Sequence, residues 1–342
     1  MTAAQGTGAY RGFYKKLIND PFDAVDEALE GFAGAHSDLV TLAAPRVIAR
    51  RVPASGKVGF VVGGGSGHEP AFAGYVGHGM ADAAACGNVF ASPPPDVILA
   101  AIHAASTGKG VLMGYGNYAG DVLNFGLAAE FAAAEGIEVR EIRVSDDVAS
   151  AGPGERDKRR GIAGDIIVFK CAGAAAERGD SLGEVERIAV KANLATRSMG
   201  VALAACEVPG TGRLTFELAA DEIGIGMGVH GEPGIRRGPL EPADAIAGAL
   251  VAAITGEMDR AESRDVALLV NGLGATATMD QYVFYRGARR ALEAAGFRVT
   301  HSYVGEYITS LEMAGASVTV TALDGELAEL LDAPARTTRF VQ

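Results

Sequence analysis

Three short apolar runs in this chain each end at glycine, and a helical stretch follows each of them. The runs begin at Val58, Val111 and Val266. A short apolar run bounded by glycine is typical of a strand that is buried on both faces. Strands that alternate with helices form βαβ units, whose strands pair in parallel while the helices cover the sheet. The sequence therefore predicts an α/β protein with βαβ units and largely parallel sheets.

The chain length predicts two such domains, because 342 residues correspond to about two units of about 150 residues. We place the domains at residues 1–185 and 186–342, and we expect the ligand site in the crevice between them. Residues 150–164 are predicted to be a loop, and the tail after Leu331 to hold no element. The predicted helices lie within 12–42 and at 96–106, 121–135, 183–196, 242–255 and 281–295. The predicted strands lie at 57–62, 110–115, 137–144, 201–205, 214–219, 266–270, 298–304 and 317–321.

Charge and composition exclude several classes of protein. Thirty Lys and Arg against 42 Asp and Glu give a net charge of −12, and no basic stripe is present that could neutralise nucleic-acid phosphates. The short basic run at residues 156–160 is predicted to be a solvated loop. Without a long apolar stretch or a signal-peptide pattern, we expect a soluble, cytoplasmic protein that does not contact membranes. The widely spaced Cys86, Cys171 and Cys206 indicate neither disulfides nor a zinc site.

The first glycine segment, Gly63-Gly64-Gly65-Ser66-Gly67, is followed directly by His68. Glycine lets the backbone approach a ligand closely, but the segment lacks the lysine of a P-loop and the spacing of a dinucleotide-binding fingerprint. On spacing alone, a turn without a ligand is as good an interpretation as a binding loop. His68 favours the binding loop, because α/β sheets bind ligands at the carboxyl ends of their strands and imidazole is a general acid or base. The alternative is a turn histidine that is hydrogen-bonded to backbone.

Asp121 and His230 are the other two candidate catalytic residues. Asp121 lies just after a predicted strand and at the start of a predicted helix, where an N-cap and a catalytic carboxylate are equally good interpretations. His230 lies in the glycine-dense segment 224–234, which has little side-chain bulk to bury an imidazole ring. A core histidine is therefore the less favoured alternative there. The other histidines show no clustering and are predicted to be structural: His36, His78, His103 and His301.

Several longer motifs occur in a characteristic order along the chain. The three main ones are His68-Glu69-Pro70, Asn117-Tyr118-Ala119-Gly120-Asp121 and His230-Gly231-Glu232-Pro233-Gly234. Supporting segments are Ser92-Pro93-Pro94-Pro95-Asp96 and Arg159-Arg160-Gly161-Ile162-Ala163-Gly164. With these motifs the chain resembles the K subunit, or K domain, of dihydroxyacetone kinases over essentially its whole length.

The resemblance implies a glycerone-type kinase, a phosphotransferase with an alcohol group as acceptor, built as a homodimer of chains with two α/β domains. It implies that His230 forms a covalent hemiaminal with the substrate ketone. It further implies that His68 and Asp121 contact the hydroxyls of the sugar and assist the phosphoryl transfer. The residues that line the site are then Gly65, Ser66 and Gly67.

Two departures from the family pattern concern the substrate and the phosphate donor. Many members have a lysine before the Asn-Tyr motif that contacts the substrate, whereas this chain has Gly116. The lost ammonium and larger space make a four-carbon ketose such as erythrulose a candidate beside dihydroxyacetone. The family's nucleotide-binding L domain is absent from the sequence, so we expect a partner L subunit to bind ATP or ADP with Mg²⁺. A phosphotransferase-system protein is a further possible partner, and we predict no cofactor or metal on this chain.

Two other functions stay open. A non-catalytic ketose sensor that acts on a regulatory partner would use the same sugar site without transferring phosphate. A nucleotide-dependent oxidoreductase is suggested only by the strand–glycine turns.

Overall fold

The computed structural model describes residues 12–259 and 263–342, which form two six-stranded sheets and eight α-helices. The helices are α1 (Ala24–Ala35), α2 (Pro95–Ala105), α3 (Ala119–Ala134), α4 (Asp165–Arg178), α5 (Leu182–Ala195), α6 (Ala243–Thr255), α7 (Thr278–Ala294) and α8 (Gly325–Asp332). The strands of the first half are β1 (Val40–Ala44), β2 (Val47–Arg50), β3 (Gly59–Ser66), β4 (Gly77–His78), β5 (Ala83–Val89), β6 (Val111–Gly116) and β7 (Val139–Val144). The strands of the second half are β8 (Thr196–Ala204), β9 (Glu222–Ile225), β10 (Arg236–Pro239), β11 (Asp265–Gly272), β12 (Arg298–Glu306), β13 (Ala314–Ala322) and β14 (Arg336–Thr337).

The first sheet has the predicted α/β architecture. Its strand order is β1-β2-β5-β3-β6-β7, and the four strands from β5 to β7 pair in parallel. The crossovers from β5 to β6 and from β6 to β7 contain α2 and α3, as parallel pairing requires. All eight residues of β3 are buried, which agrees with its apolar sequence. The α/β class is therefore confirmed, and the carboxyl ends of β3 and β6 lie at one edge of the sheet.

The second sheet corrects the expectation of largely parallel pairing. Its order is β10-β9-β8-β13-β11-β12, and only the β11–β12 pair is parallel. The other four pairs are antiparallel. The link from β12 to β13, residues 307–313, holds no helix and is too short for a crossover of about a dozen residues. A chain that returns through so short a link must enter the sheet in the opposite direction.

Several elements differ from the sequence prediction. The helices α2, α3, α5, α6 and α7 lie where they were predicted, but α4 was not predicted at all. Every residue of α4 from Asp165 to Ala176 is buried, so this helix has no polar face and no helical period in its hydrophobicity. The sequence pattern also missed β1, β2, β5 and α8. Residues 214–219 form only an isolated bridge rather than a strand, and the tail after Leu331 contributes β14.

The helices α4 and α5 connect the two halves of the chain. Helix α5 contacts β6 and β7 of the first sheet and β13 of the second, and α4 contacts β3 and β6. One apolar core contains Phe60 and Leu112 from the first sheet together with Leu269 from the second. The predicted boundary at residue 185 lies inside α5, and the division into domains at this point stays a prediction.

No helix within residues 12–259 and 263–342 is long and apolar enough to cross a bilayer.

Helix α4 packs closely against residues 79–80, whereas one face of α3 is open. We therefore predict opposite effects on stability for a glycine-to-alanine change in each helix. A Cβ at Gly173 would lie 2.7 Å from the carbonyl oxygen of Met80, whereas a Cβ at Gly126 in α3 meets nothing within 4 Å. Gly173→Ala should lower the free energy of unfolding by about 1–3 kcal/mol through overpacking. Gly126→Ala, the matched control, should raise it by up to about 1 kcal/mol through helix propensity. Urea denaturation followed by circular dichroism measures both, and equal effects would contradict this packing.

Candidate functional site

Glycines at the end of β3 allow the chain to pass close to the segment that follows β5. A Cβ at Gly65 would lie 2.7 Å from the backbone nitrogen of Ala91, and one at Gly67 would lie 2.9 Å from the ring of Phe90. Gly67 also has a φ of +93°, which disfavours any side chain. These two glycines are therefore required by the packing of the chain itself.

Each of the three backbone carbonyls of residues 66–68 accepts a hydrogen bond from the backbone N–H of a residue outside this segment. The donors are Phe90 at 2.9 Å, Leu311 at 2.8 Å and Thr309 at 3.2 Å, in the order of the carbonyls. Phe90 follows β5 in the first half, whereas Thr309 and Leu311 lie between β12 and β13 in the second half. The two halves of the chain thus meet at this segment, and they fix the position of His68.

The structure brings two of the predicted catalytic residues, His68 and His230, into direct contact. Their Nε2 atoms are 3.1 Å apart. The Nδ1 atom of His68 lies 2.7 Å from the carbonyl oxygen of Thr309. The Nδ1 atom of His230 lies 2.9 Å from Oε1 of Glu232, and its backbone N–H donates to Oε2 of the same carboxylate at 3.0 Å. We call His68 and His230 the histidine pair.

The partners of the histidine pair determine where its protons lie. A carbonyl oxygen is only an acceptor, so His68 donates from Nδ1 to Thr309. Burial raises the pKa of Glu232, but His230 and Arg160 together lower it to about 2, so the carboxylate is ionised and His230 also donates from Nδ1. A hydrogen bond between the two Nε2 atoms then requires one more proton on the pair. Burial and the charge of His230 lower the pKa of His68 to about 3, so His68 is neutral at neutral pH and holds a proton on Nε2 only weakly.

Asp121, the third predicted catalytic residue, does not act as the N-cap of α3. The capping position is Tyr118, and the helix begins without a side-chain capping hydrogen bond. Oδ1 of Asp121 is buried and has no hydrogen-bond partner among residues 12–259 and 263–342. Burial raises the pKa of Asp121 to about 6, against the lowering effects of the Ser92 hydroxyl and of His230. A carboxylate with this pKa, electrostatically coupled to His230, has the properties of a general base at neutral pH.

An aromatic ring lies against Gly116, the position that carries lysine in many members of the resembled family. A Cβ at Gly116 would lie 3.2 Å from the ring of Tyr118 and 3.4 Å from the carbonyl oxygen of Gly161. The same ring stands edge-on to His230, with centroids 4.9 Å apart. The larger space expected beside Gly116 is therefore filled by Tyr118.

An arginine that the sequence pattern did not reveal supports the site. Arg160 belongs to the basic run predicted to be solvated, yet it is mostly buried and pairs with Asp147 at 2.7 Å. It also donates to the carbonyl of Gly226 at 3.1 Å and lies 3.9 Å from Glu232. The partners are 13 and 66 residues away, so no local pattern revealed them. The neighbouring Arg159 is fully buried, and the solvated-loop prediction is wrong for both arginines.

The glycine segment also lines a cavity that the histidine pair does not line. The hydroxyl of Ser66 donates to the carbonyl of Gly87 at 2.8 Å. A cavity of about 550 Å³ beside α1 is lined by Gly65, Ser66 and Gly67, but its lining includes neither His230 nor Asp121. Contact of these three residues with a substrate therefore stays a prediction.

In the part of the chain that the structure describes, no group of three His, Cys, Asp or Glu side chains is arranged to hold a metal ion. The three cysteines are buried and are not in disulfides.

Comparison with known proteins assigns the chain to a family. The model of the Dak1 domain matches residues 30–339, which include the histidine pair, Asp121 and Gly116. The chain belongs to the Dak1 domain family. The resemblance drawn from its motifs is thereby confirmed.

Relatives in this family have several activities by name. The dihydroxyacetone-binding subunit DhaK of PTS-dependent dihydroxyacetone kinase 2 from Listeria innocua is 44% identical over 329 residues, covering 95% of this chain and 99% of that protein. L-erythrulose 1-kinase from Mycolicibacterium smegmatis is 45% identical over 95% of this chain, which spans only 57% of that longer protein. A solved structure of the dihydroxyacetone kinase operon co-activator Dha-DhaQ superimposes with a TM-score of 0.88 at 34% identity, covering 93% of this chain and 98% of that one.

Proposed function

We propose that this chain is the ketose-binding subunit of a dihydroxyacetone-type kinase. It binds a short-chain ketose as a hemiaminal on His230 and presents the terminal hydroxyl to a separate nucleotide-binding L subunit. The observation that carries the proposal is the histidine pair, in which His230 is held by Glu232 and faces the buried His68. The full-length similarity to a dihydroxyacetone-binding subunit supports the same conclusion.

The histidine pair can form a hemiaminal without any net change in its charge. When the ketone enters, the proton between the two Nε2 atoms lies on Nε2 of His68, and the lone pair on Nε2 of His230 attacks the ketone carbon. The electrons of the C=O π bond move to the oxygen, which takes the proton from His68. The product is an N-substituted imidazolium on His230, a neutral His68 and a hydroxyl group. Glu232 remains ionised and stabilises the imidazolium throughout.

Covalent binding also accounts for selectivity between ketoses and polyols. A polyol such as glycerol has similar hydroxyls but no carbonyl, so it cannot form the adduct. Hydrogen bonds alone separate such molecules poorly when the pocket fits both. The adduct fixes the terminal hydroxyl in one orientation, which lowers the entropic barrier to its transfer reaction.

Asp121 is the base that we assign to the phosphoryl transfer. Its buried Oδ1 lacks a hydrogen-bond partner within the described part of the chain, and its raised pKa makes it an effective proton acceptor near neutral pH. As the substrate hydroxyl attacks the donor phosphate, the Asp121 carboxylate takes its proton.

The phosphate donor is proposed to come from another chain. The glycine segment ends in His68 rather than in the lysine and hydroxyl residue of a P-loop. The name of the Listeria relative describes a binding subunit of a PTS-dependent kinase, which fits a separate L subunit with ATP or ADP and Mg²⁺ and a phosphotransferase-system protein. The expected homodimer remains a prediction.

The substrate is proposed to be dihydroxyacetone or a four-carbon ketose such as erythrulose. The L-erythrulose kinase relative supports the larger sugar. At Gly116 the wall is the Tyr118 ring instead of an ammonium group, so this side offers contact with carbon rather than a charged hydrogen bond. One additional carbon in a fitting pocket is worth about 1–3 kcal/mol, so the preference between the two sugars should be modest.

A ketose sensor is the second candidate, and the co-activator with a TM-score of 0.88 favours it. Reconstitution separates the two functions. We expect the purified chain to bind both ketoses, to be inactive with ATP alone, and to turn over when an L subunit with Mg²⁺-ATP is added. Phosphorylated sugar is measured by phosphorus NMR. Turnover by the chain alone would contradict the split assembly, and binding without turnover in the presence of several L subunits would favour the sensor.

Phosphoryl transfer should depend on the ionisation of Asp121. Because the carboxylate is the active form and the pKa of Asp121 is about 6, kcat should be constant well above pH 6 and fall about tenfold per pH unit well below it. Asp121→Asn should lower kcat by about 10²–10⁴ and remove this dependence. Asp280→Asn changes an exposed acid in the first turn of α7 and serves as the matched control. A parent-like pH profile in Asp121→Asn would exclude Asp121 as the base.

A further inference from the structure

Phe90 has a backbone conformation that its side chain disfavours. Its φ is +55°, in the left-handed region, where glycine is the usual residue. A bulky residue held in this region is uncommon, and such residues cluster at functional sites where the surroundings fix the conformation. The conformation alone does not identify the role, but it shows that the surrounding contacts outweigh a local preference.

The ring of Phe90 lies against both members of the histidine pair. It stacks on His68 with centroids 4.9 Å apart and an angle of 26° between the ring planes. It meets His230 edge-on at 5.3 Å and 71°. Stacking along one imidazole face covers that face and limits rotation of the His68 ring.

The backbone of Phe90 acts on the same segment as its ring. Its N–H donates to the carbonyl of Ser66 at 2.9 Å, two residues before His68. The absence of a Cβ at Gly67 leaves space for the Phe90 ring, since a Cβ there would lie 2.9 Å from it. Leu311, which holds the next carbonyl at 2.8 Å, also has a positive φ, of +53°. Two residues in left-handed conformations, Phe90 and Leu311, thus donate hydrogen bonds to the segment before His68.

We propose that Phe90 is a positioning residue for the histidine pair. Its ring fixes the plane of the His68 imidazole so that Nε2 of His68 faces Nε2 of His230, and it keeps water from the buried face. Through this contact Phe90 sets how readily the proton of the pair moves. Its effect on catalysis rests on the proposed function, but its effect on His68 does not.

Removal of the ring has a defined consequence for His68. Burial is the largest cause that lowers the pKa of His68 to about 3. When a smaller side chain admits water to the stacked face, the charged form is better solvated, and the pKa of His68 should rise toward the ordinary value of about 6.5. The imidazole also gains freedom to rotate, so fewer molecules hold the geometry that the transfer of the proton needs.

The test compares Phe90→Leu, Phe90→Tyr and the control Phe284→Leu, which removes a more deeply buried ring from the core of the second sheet. Nitrogen-15 NMR of the histidine rings follows the titration of His68 in the ligand-free protein. Ketose affinity and kcat with an L subunit are measured on the same samples. We expect Phe90→Leu to raise the pKa of His68, to weaken ketose binding and to lower kcat by up to about 100-fold, the loss of rate that a displacement of about 1 Å can produce. Phe90→Tyr should keep these properties near those of the parent, and Phe284→Leu should change none of them.

Two results would overturn the proposal. One is a Phe90→Leu protein in which both the pKa of His68 and the ketose affinity are the same as in Phe284→Leu. The other is a Phe90→Tyr protein that is as impaired as Phe90→Leu, since the ring is then not the determinant. Should Phe90→Leu not fold, Phe90→Met keeps most of the volume without an aromatic face and gives the same readouts. If the parent itself does not bind ketoses, the proposed function fails while the His68 titration still tests the role of Phe90.

Discussion

The three hydrogen bonds to the carbonyls of residues 66–68 are the constraint on which the rest of the site depends. One donor directly follows β5 in the chain and the other two lie in the link between β12 and β13, so the bonds join the two halves of the chain. The same link accepts the Nδ1 hydrogen of His68 through Thr309. A shift of one sheet against the other would therefore move His68 away from His230. The glycines of this segment matter because they let the chain enter such a narrow space.

The charges around the histidine pair are balanced over a chain of partners. Glu232 is ionised and holds His230, and Arg160 lies between Glu232 and Asp147. Because burial lowers the pKa of His68 to about 3, its imidazole readily gives up any proton that it receives on Nε2. The proposed hemiaminal needs a nucleophile, a proton carrier and a fixed counter-charge, and His230, His68 and Glu232 lie in one hydrogen-bonded row that matches these needs.

The features of the site that depend on a single segment could be predicted from the sequence, whereas contacts between residues far apart in the sequence could not. The apolar runs before glycine predicted β3, β6 and β11, and sparse bulk around His230 predicted an accessible imidazole. Helix α4 was missed because burial on all sides removes the period that reveals a helix. The role of Arg160 was missed because its partners are remote in sequence. Parallel pairing was overestimated in the second sheet because strand direction depends on connection length rather than on strand composition.

The covalent role of His230 is the central claim, and one measurement tests it directly. Carbon-13 NMR of dihydroxyacetone labelled at the ketone carbon distinguishes a trigonal carbonyl from a tetrahedral carbon attached to nitrogen. In the parent protein and in the control His301→Ala, the bound sugar should show the tetrahedral signal coupled to nitrogen-15 of a histidine ring. In His230→Ala that signal should be absent, and bound sugar should keep its carbonyl resonance. A tetrahedral, nitrogen-coupled signal that persists in His230→Ala would contradict the account.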